Sequence, residues 1–127
     1  MEQYLIDTNV IANFTSVKFS VKIMDFLAEV IDKTPNISVI TKIETLSWRS
    51  AIAQEEASLK AFVNFSNTIA LSDVIVDECI KIRRNWKIKT PDAIIAATAI
   101  VYDYTLLTSD ADFKRITNLK IINPFDL

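Results

Sequence analysis

Apolar residues occur along this chain in two rhythms, short runs of three or four and longer stretches repeating at helical spacing. Tyr4-Leu5-Ile6 is a short run and predicts a buried strand ending at Asp7. Ile23, Phe26, Leu27, Val30 and Ile31 form a helical stripe, predicting a helix over Val17 to Lys33 that stops before Pro35. Ile37 to Ile40 reads as a second strand. A helix then starts at Thr41 and carries Ile43, Leu46, Trp48, Ala51 and Ile52, and another runs through Leu59, Phe62, Val63 and Phe65. Thr68 to Leu71 is a third strand. Ser72 caps a helix with Ile75, Val76, Cys79, Ile80 and Ile82 on its apolar face, and Asn85 suits its end because asparagine tolerates a left-handed terminus.

Thr90-Pro91-Asp92 marks a helix start, with a hydroxyl cap, proline at the first helical position and an acid in the first turn. The following segment, Ala93 to Tyr102, is apolar almost all round and belongs at the centre of the molecule. Thr105 to Thr108 gives a fourth strand, Ala111 to Ile116 a helical turn and Lys120 to Asn123 a last strand. Strands alternating with helices predict a three-layer α/β/α sandwich around a central, mostly parallel sheet of four to five short strands. In such sheets ligands gather beyond the carboxyl ends of the strands, near the topological switch point.

At 127 residues the chain makes one domain, residues 1–127, and half of its residues are apolar. The two zero counts narrow the chemistry. Without glycine, the phosphate-cradling loops of nucleotide-binding motifs are excluded, because their close backbone approach needs a residue lacking Cβ. Without histidine and with the single Cys79, Ser-His-Asp and Cys-His catalysis and tetrahedral zinc sites are excluded too. One cysteine permits no intrachain disulfide; with no basic leader before an apolar stretch and no run long enough to span a bilayer, a cytoplasmic protein is expected, with no membrane contact. A net charge of −2 gives no overall attraction for nucleic acid. Any such role needs a local basic patch or a bound cation.

On this scheme Asp7 ends the first strand, Glu44 follows the second, Asp92 opens the central helix, and Asp110 and Asp112 follow the fourth strand. If these acids face one crevice, they repel one another until something positive offsets them. A hard divalent cation does so best, and an all-oxygen, partly hydrated pocket suits Mg2+, with Mn2+ as the alternative. The positive ends of the helices near Thr41 and Thr90 add to this. Each acid also has an ordinary explanation. Glu44 stands three residues after Thr41, the spacing of a capping box; Asp92 complements a helix dipole; Asp110 caps the turn at Ala111. Asp7 is harder to explain away, since an acid behind a buried strand is costly unless it is paired, hydrogen-bonded or metal-bound.

Four segments carry a family resemblance: Asp7-Thr8-Asn9-Val10, Thr41-Lys42-Ile43-Glu44, Pro91-Asp92-Ala93-Ile94-Ile95-Ala96-Ala97-Thr98-Ala99, and Leu106-Leu107-Thr108-Ser109-Asp110-Ala111-Asp112-Phe113. Together they resemble the motifs of PIN-domain ribonucleases, most closely those of VapC-type toxins, over nearly the whole chain. The resemblance implies a magnesium- or manganese-dependent endoribonuclease acting on RNA, usually a homodimer and usually held inactive by a cognate antitoxin. It implies direct metal contacts for Asp7 and Asp92, a ligand or water-mediated role for Glu44, and an outer or second-metal role for Asp110, with Asp112 the alternative fourth acid. Thr8, Asn9 and Thr108 would orient carboxylates or waters around them, or Thr8 and Asn9 simply begin a helix. Water attacking phosphorus in line leaves 5′-phosphate and 3′-hydroxyl ends and needs no histidine. The segment Asn85-Trp86 stands where relatives often have glycine.

Lys81, Arg83, Arg84, Lys87 and Lys89 lead directly into Asp92, interrupted by Trp86. They either meet RNA phosphates, with Trp86 as a stacking face, or reflect the ordinary enrichment of cations at a helix end, with Trp86 in the core. Arg49 is a further phosphate candidate or part of a solvated helix face. The stretch Trp48 to Phe65 is either a dimer or antitoxin face or core. Two other readings compete, a receiver-type signalling domain and a non-catalytic scaffold of the same fold. The first lacks an acid partner near Asp7, and the second is separated from an enzyme by metal-dependent cleavage.

Overall fold

The structure, a computed structural model, describes residues 2–127. Its strands are β1 (Tyr4–Ile6), β2 (Asn36–Ser38), β3 (Asn67–Ile69), β4 (Thr105–Leu107) and β5 (Ile121–Ile122). Six helices connect them: α1 (Thr8–Thr15), α2 (Val21–Asp32), α3 (Val39–Ser47), α4 (Ala53–Phe65), α5 (Asp73–Asn85) and α6 (Thr90–Tyr102). The sheet is parallel throughout, in the order β3-β2-β1-β4-β5. Successive strands step outward from β1 to β3, after which the chain crosses back to lay β4 on the other side of β1. The switch point therefore lies between the carboxyl ends of β1 and β4, and Asp7 follows β1 there.

Alternation along the strands divides the core into two layers. Leu5 and Leu106 pack with Ile75, Cys79, Ile82, Ile95 and Phe113 beneath α5 and α6. Ile6, Ile37 and Leu107 pack with Val10, Ile11, Ile23, Leu27, Leu59, Phe62 and Val63 beneath α1, α2 and α4. This is the expected α/β/α sandwich. Ala93, Ala96, Ala97 and Ala99 of α6 are fully buried, so the helix that is apolar all round is central as its composition requires.

Boundaries differ from the sequence expectations where caps and apolar runs compete. The stretch assigned to one helix from Val17 holds a turn, and α2 starts at Val21 behind Ser20, whose Oγ accepts from the Ile23 amide. The preceding helix α1 has no counterpart in the periodicity. It is capped by Asp7, which accepts from the Thr8 amide, so Thr8 and Asn9 do open a helix. The second strand stops at Ser38, and Ser38 rather than Thr41 caps α3 by accepting from the Ile40 amide at 3.1 Å. Helix α3 ends at Ser47, well short of Ile52. Thr90 does not cap α6: Lys89 occupies that position and lends no side-chain bond. Asn85 is the last residue of α5, and Trp86 after it is extended, not left-handed. The third strand covers 67–69 instead of 68–71. Among the described residues no helix is long and apolar enough to cross a membrane.

Candidate active site

The site begins with one buried carboxylate. Asp7 is only 5% exposed, and three donors hold it: the Thr8 amide on Oδ1 at 2.8 Å, and the Asn9 Nδ2 amide (3.0 Å) and Thr108 hydroxyl (2.8 Å) on Oδ2. Asn9 is itself fixed, because its Oδ1 accepts from the amide and hydroxyl of Ser109 at 3.1 and 3.0 Å. The Thr108 hydroxyl in turn accepts from the Asp110 amide at 3.1 Å. Residues following β4 thus lock those following β1. Sequence reading placed Thr8, Asn9 and Thr108 here; it did not single out Ser109, which stands inside the fourth quoted segment and contributes both donors that orient Asn9.

Burial is the main reason the Asp7 carboxyl is pushed up to about 6; the bonds from Thr108 and Thr8 pull it down, and the charges of Glu44 and Asp92 push it further up. Asp92, in the first turn of α6, is also raised. Burial comes first there, then the charges of Asp110 and Glu44, against a lowering by Lys89, with Asp112 adding a further upward push. Asp7 thus feels Glu44 and Asp92, and Asp92 feels Glu44, Asp110 and Asp112. Glu44 accepts from the Thr8 hydroxyl at 2.8 Å, tying α3 to α1. With Ser38 capping α3, the capping-box explanation of Glu44 fails. Asp110 does cap the short helical turn at Ala111–Arg115, accepting from the Asp112 amide at 2.9 Å.

The basic residues divide. Arg83, Lys87, Lys89 and Arg115 line a cavity of about 420 Å3 with Asp92 and Asp112. Arg115, which the sequence did not single out, donates from Nη1 to the Lys87 carbonyl at 2.7 Å and lies 3.9 Å from Asp112; Arg83 Nε donates to the Ile88 carbonyl at 3.2 Å. Arg84 lines a different, apolar cavity on α5. Trp86 packs half-buried against the core, as the packing alternative expects. Arg49 is exposed in the connection from α3 to α4, not on a helix face. Within Trp48 to Phe65, Leu59, Phe62 and Val63 are core, while Trp48, Ile52 and Phe65 are exposed.

A family model described as PIN domain matches residues 4–119, spanning every strand but β5 and all four acidic segments. The chain belongs to the PIN-domain family. A comparison with curated proteins gives no match. Among solved structures, a chain of VapBC2 from Rickettsia felis bound to a promoter DNA fragment superposes with a TM-score of 0.77 at 25% identity, covering 94% of this chain and 97% of that one. A chain of a toxin-antitoxin complex from Klebsiella pneumoniae gives 0.73 at 27% identity, covering 98% and 100%. A chain of DNA-bound VapBC from Salmonella typhimurium gives 0.81 at 18% identity, covering 98% and 99%, a likeness of fold. PIN domains of the VapC type are nucleases, and PIN nucleases generally use divalent metals.

The donor set of this PIN domain fits a hard cation. Among the described residues, the ion pairs are Arg115 with Asp112 and Lys120 with Asp103, so Asp7, Glu44, Asp92 and Asp110 have no salt-bridge partner. Every candidate donor is oxygen; Cys79 is buried in the core under α5. Among the described residues no three such side chains stand close enough to hold an ion as placed. Glu44 accepts from Thr8, and Asp110 from the Asp112 amide, each on one oxygen, which leaves the other oxygen of each for a ligand set around Asp7 and Asp92.

Proposed function

We propose that this PIN domain is a divalent-metal-dependent endoribonuclease and the toxin of a toxin-antitoxin pair. The observation that carries the reading is Asp7: a nearly inaccessible carboxylate at the switch point, held by three donors, near the charges of Glu44 and Asp92 and lacking a cationic side chain in contact. Three donors offset part of the cost of burying this charge, and a positive ligand would offset the repulsion from Glu44 and Asp92 that remains. Asp7 and Asp92 would hold Mg2+ or Mn2+ directly, Glu44 would complete the set from α3, and Asp110 or Asp112 would stand behind them. A divalent cation bound there acidifies a water and offsets the negative charge of a phosphodiester during in-line displacement.

The chain's own side chains supply the rest. Asn9 and Thr108 fix the orientation of Asp7, and Ser109 fixes Asn9. Lys87 and Lys89 beside Asp92 meet the phosphates of the RNA strand, while Arg83 and Arg115 brace the loop presenting them. The toxin assignment, with a cognate antitoxin as partner, draws support from the VapBC and toxin-antitoxin complexes to which the fold is similar. Homodimerisation is part of the same reading and draws on the exposed apolar surface of α3 and α5.

Incubating the protein with single-stranded RNA, with and without Mg2+ or Mn2+, tests this. Cleavage that requires the ion, leaves 5′-phosphate ends and falls at least about a hundredfold in Asp7→Asn is the expected result. RNA binding indifferent to metal, with no cleavage, would assign the fold to a scaffold instead.

A further inference from the structure

A second recess opens beside the acids, between α1, α3 and α4. It has a volume of about 310 Å3, at the small end of ligand pockets, and its lining includes Thr8, Asn13, Lys18, Glu44, Trp48 and Glu55. Thr8 and Glu44 belong to both places, so the recess is continuous with the acidic site. Its chemistry differs: Trp48 presents an aromatic face that is 48% exposed, and Lys18 is the only cation in the lining.

Besides Lys18, most of the polar groups there keep oxygens free to accept. The hydroxyls of Thr15, Ser16 and Ser58 donate to carbonyls of their own helices, to Ile11 at 3.0 Å, Ala12 at 2.6 Å and Gln54 at 3.0 Å, leaving lone pairs outward. Asn13 spends an amide hydrogen on the Asn9 carbonyl and keeps its oxygen. Glu55 accepts from Ser50 on one oxygen and keeps the other. Thr45, 4% exposed and also in the lining, has a hydroxyl with no partner. The recess is also built at a cost. Val17 sits at φ 55°, an unfavourable conformation for a β-branched residue; that step lets the Lys18 amide close α1 on the Asn13 carbonyl, carries Phe19 into the core and leaves Lys18 on the recess.

We infer that this recess is a base-recognition subsite: it takes the nucleobase next to the scissile phosphate, stacked on Trp48, and favours bases with an exocyclic amino group over uracil. The inference rests on the ribonuclease reading and names its specificity element. Adenine, cytosine and guanine offer amino hydrogens to the free oxygens of Glu55 and Asn13, whereas uracil offers a single N3–H flanked by two carbonyls that would face those acceptors. Stacking on an exposed tryptophan is a general means of holding a single-stranded base, and Lys18 is placed for an adjoining phosphate.

Trp48 and Trp86 are the only tryptophans, so a Trp86→Phe background isolates Trp48 fluorescence. In Asp7→Asn/Trp86→Phe, oligo-A and oligo-C are expected to quench it at least about tenfold more tightly than oligo-U. In the active protein, mapped cleavage ends should show one flanking position depleted of uracil. Trp48→Ala should raise KM about tenfold and flatten that depletion with kcat within about twofold, and Glu55→Gln should relax the bias while keeping stacking. Equal quenching by all oligomers, or a base distribution unchanged in Trp48→Ala, overturns the subsite while leaving the nuclease intact. Quenching by a cationic peptide but by no RNA also overturns it, assigning the recess to a protein segment. Absence of any metal-dependent cleavage overturns the nuclease reading, and the fluorescence titration then still decides whether the recess takes a base.

Discussion

Asp7 performs two tasks with one carboxylate, closing the amino end of α1 and accepting from Asn9 and Thr108 at the mouth of the crevice. Burial keeps its proton on to about pH 6, while the unfolded chain releases it near 3.8. Between these values the folded state binds more protons than the unfolded one, so stability falls as pH rises through the window. About two units correspond to about 3 kcal/mol, fully present below pH 4 and lost above pH 6. Urea unfolding of the metal-free protein at pH 4 and pH 7 should show this Asp7-dependent drop. Asp7→Asn, which keeps a capping oxygen for Thr8, should lack it, and Mn2+ at pH 7 should stabilise the wild type but not the variant. A wild-type profile identical to that of Asp7→Asn would mean that the carboxylate is not desolvated. This residue was legible in the sequence, because an acid directly behind an apolar run has few inexpensive surroundings. Glu44 was ambiguous there: Thr41 and Glu44 have capping-box spacing, and only the Ser38 cap separates the two readings.

Helix ends show what a chain without glycine must do. Three non-glycine residues, Val17, Thr34 and Asp103, take the left-handed conformation after α1, α2 and α6, with φ of 55°, 63° and 57°. Aspartate tolerates this region, but valine and threonine are β-branched and pay about 1–2 kcal/mol each. Thr34 is exposed and lies away from the acids, so Thr34→Gly should raise stability by about 0.5–1 kcal/mol after the extra freedom of the unfolded chain is subtracted. Thermal melts should move up by about 2–5 °C; no gain would indicate that the native turn is unstrained. The same absence explains what periodicity could not locate. With no glycine to mark its start, the α2 segment was read from Val17 through the turn that precedes it, α1 escaped the periodicity, and Val39 and Ile40, β-branched like a strand, hide the first turn of α3. Buried strands and the core helix α6 were legible, since three-residue apolar runs and an all-round apolar face each fit one environment.

Seen whole, the molecule leaves a strip of apolar side chains uncovered along one edge of the sheet. Ile43 and Leu46 of α3 border a recess that includes Thr68 and Ala70, and Leu71, Val76 and Ile80 border another with Ile94. Ala70 and Leu71 are consecutive, so the two join into one strip beside the edge strand β3. Ile43, Leu46, Leu71 and Ile80 are each between 44% and 56% exposed, a run of large apolar side chains facing outward along one edge. The proposed homodimer would use this strip in preference to α4, where Leu59, Phe62 and Val63 are spent on the core and Phe65 alone of the large apolar residues is exposed. Since Ile80 contributes little to packing within the chain, Ile80→Glu should leave the melting temperature of the subunit nearly unchanged while placing two carboxylates face to face across a symmetric contact. Sedimentation of the wild type at tens of micromolar should then give a dimer, and the variant a monomer. A monomeric wild type, or a dimer untouched by Ile80→Glu, would remove α5 from the interface and leave the strip to another partner.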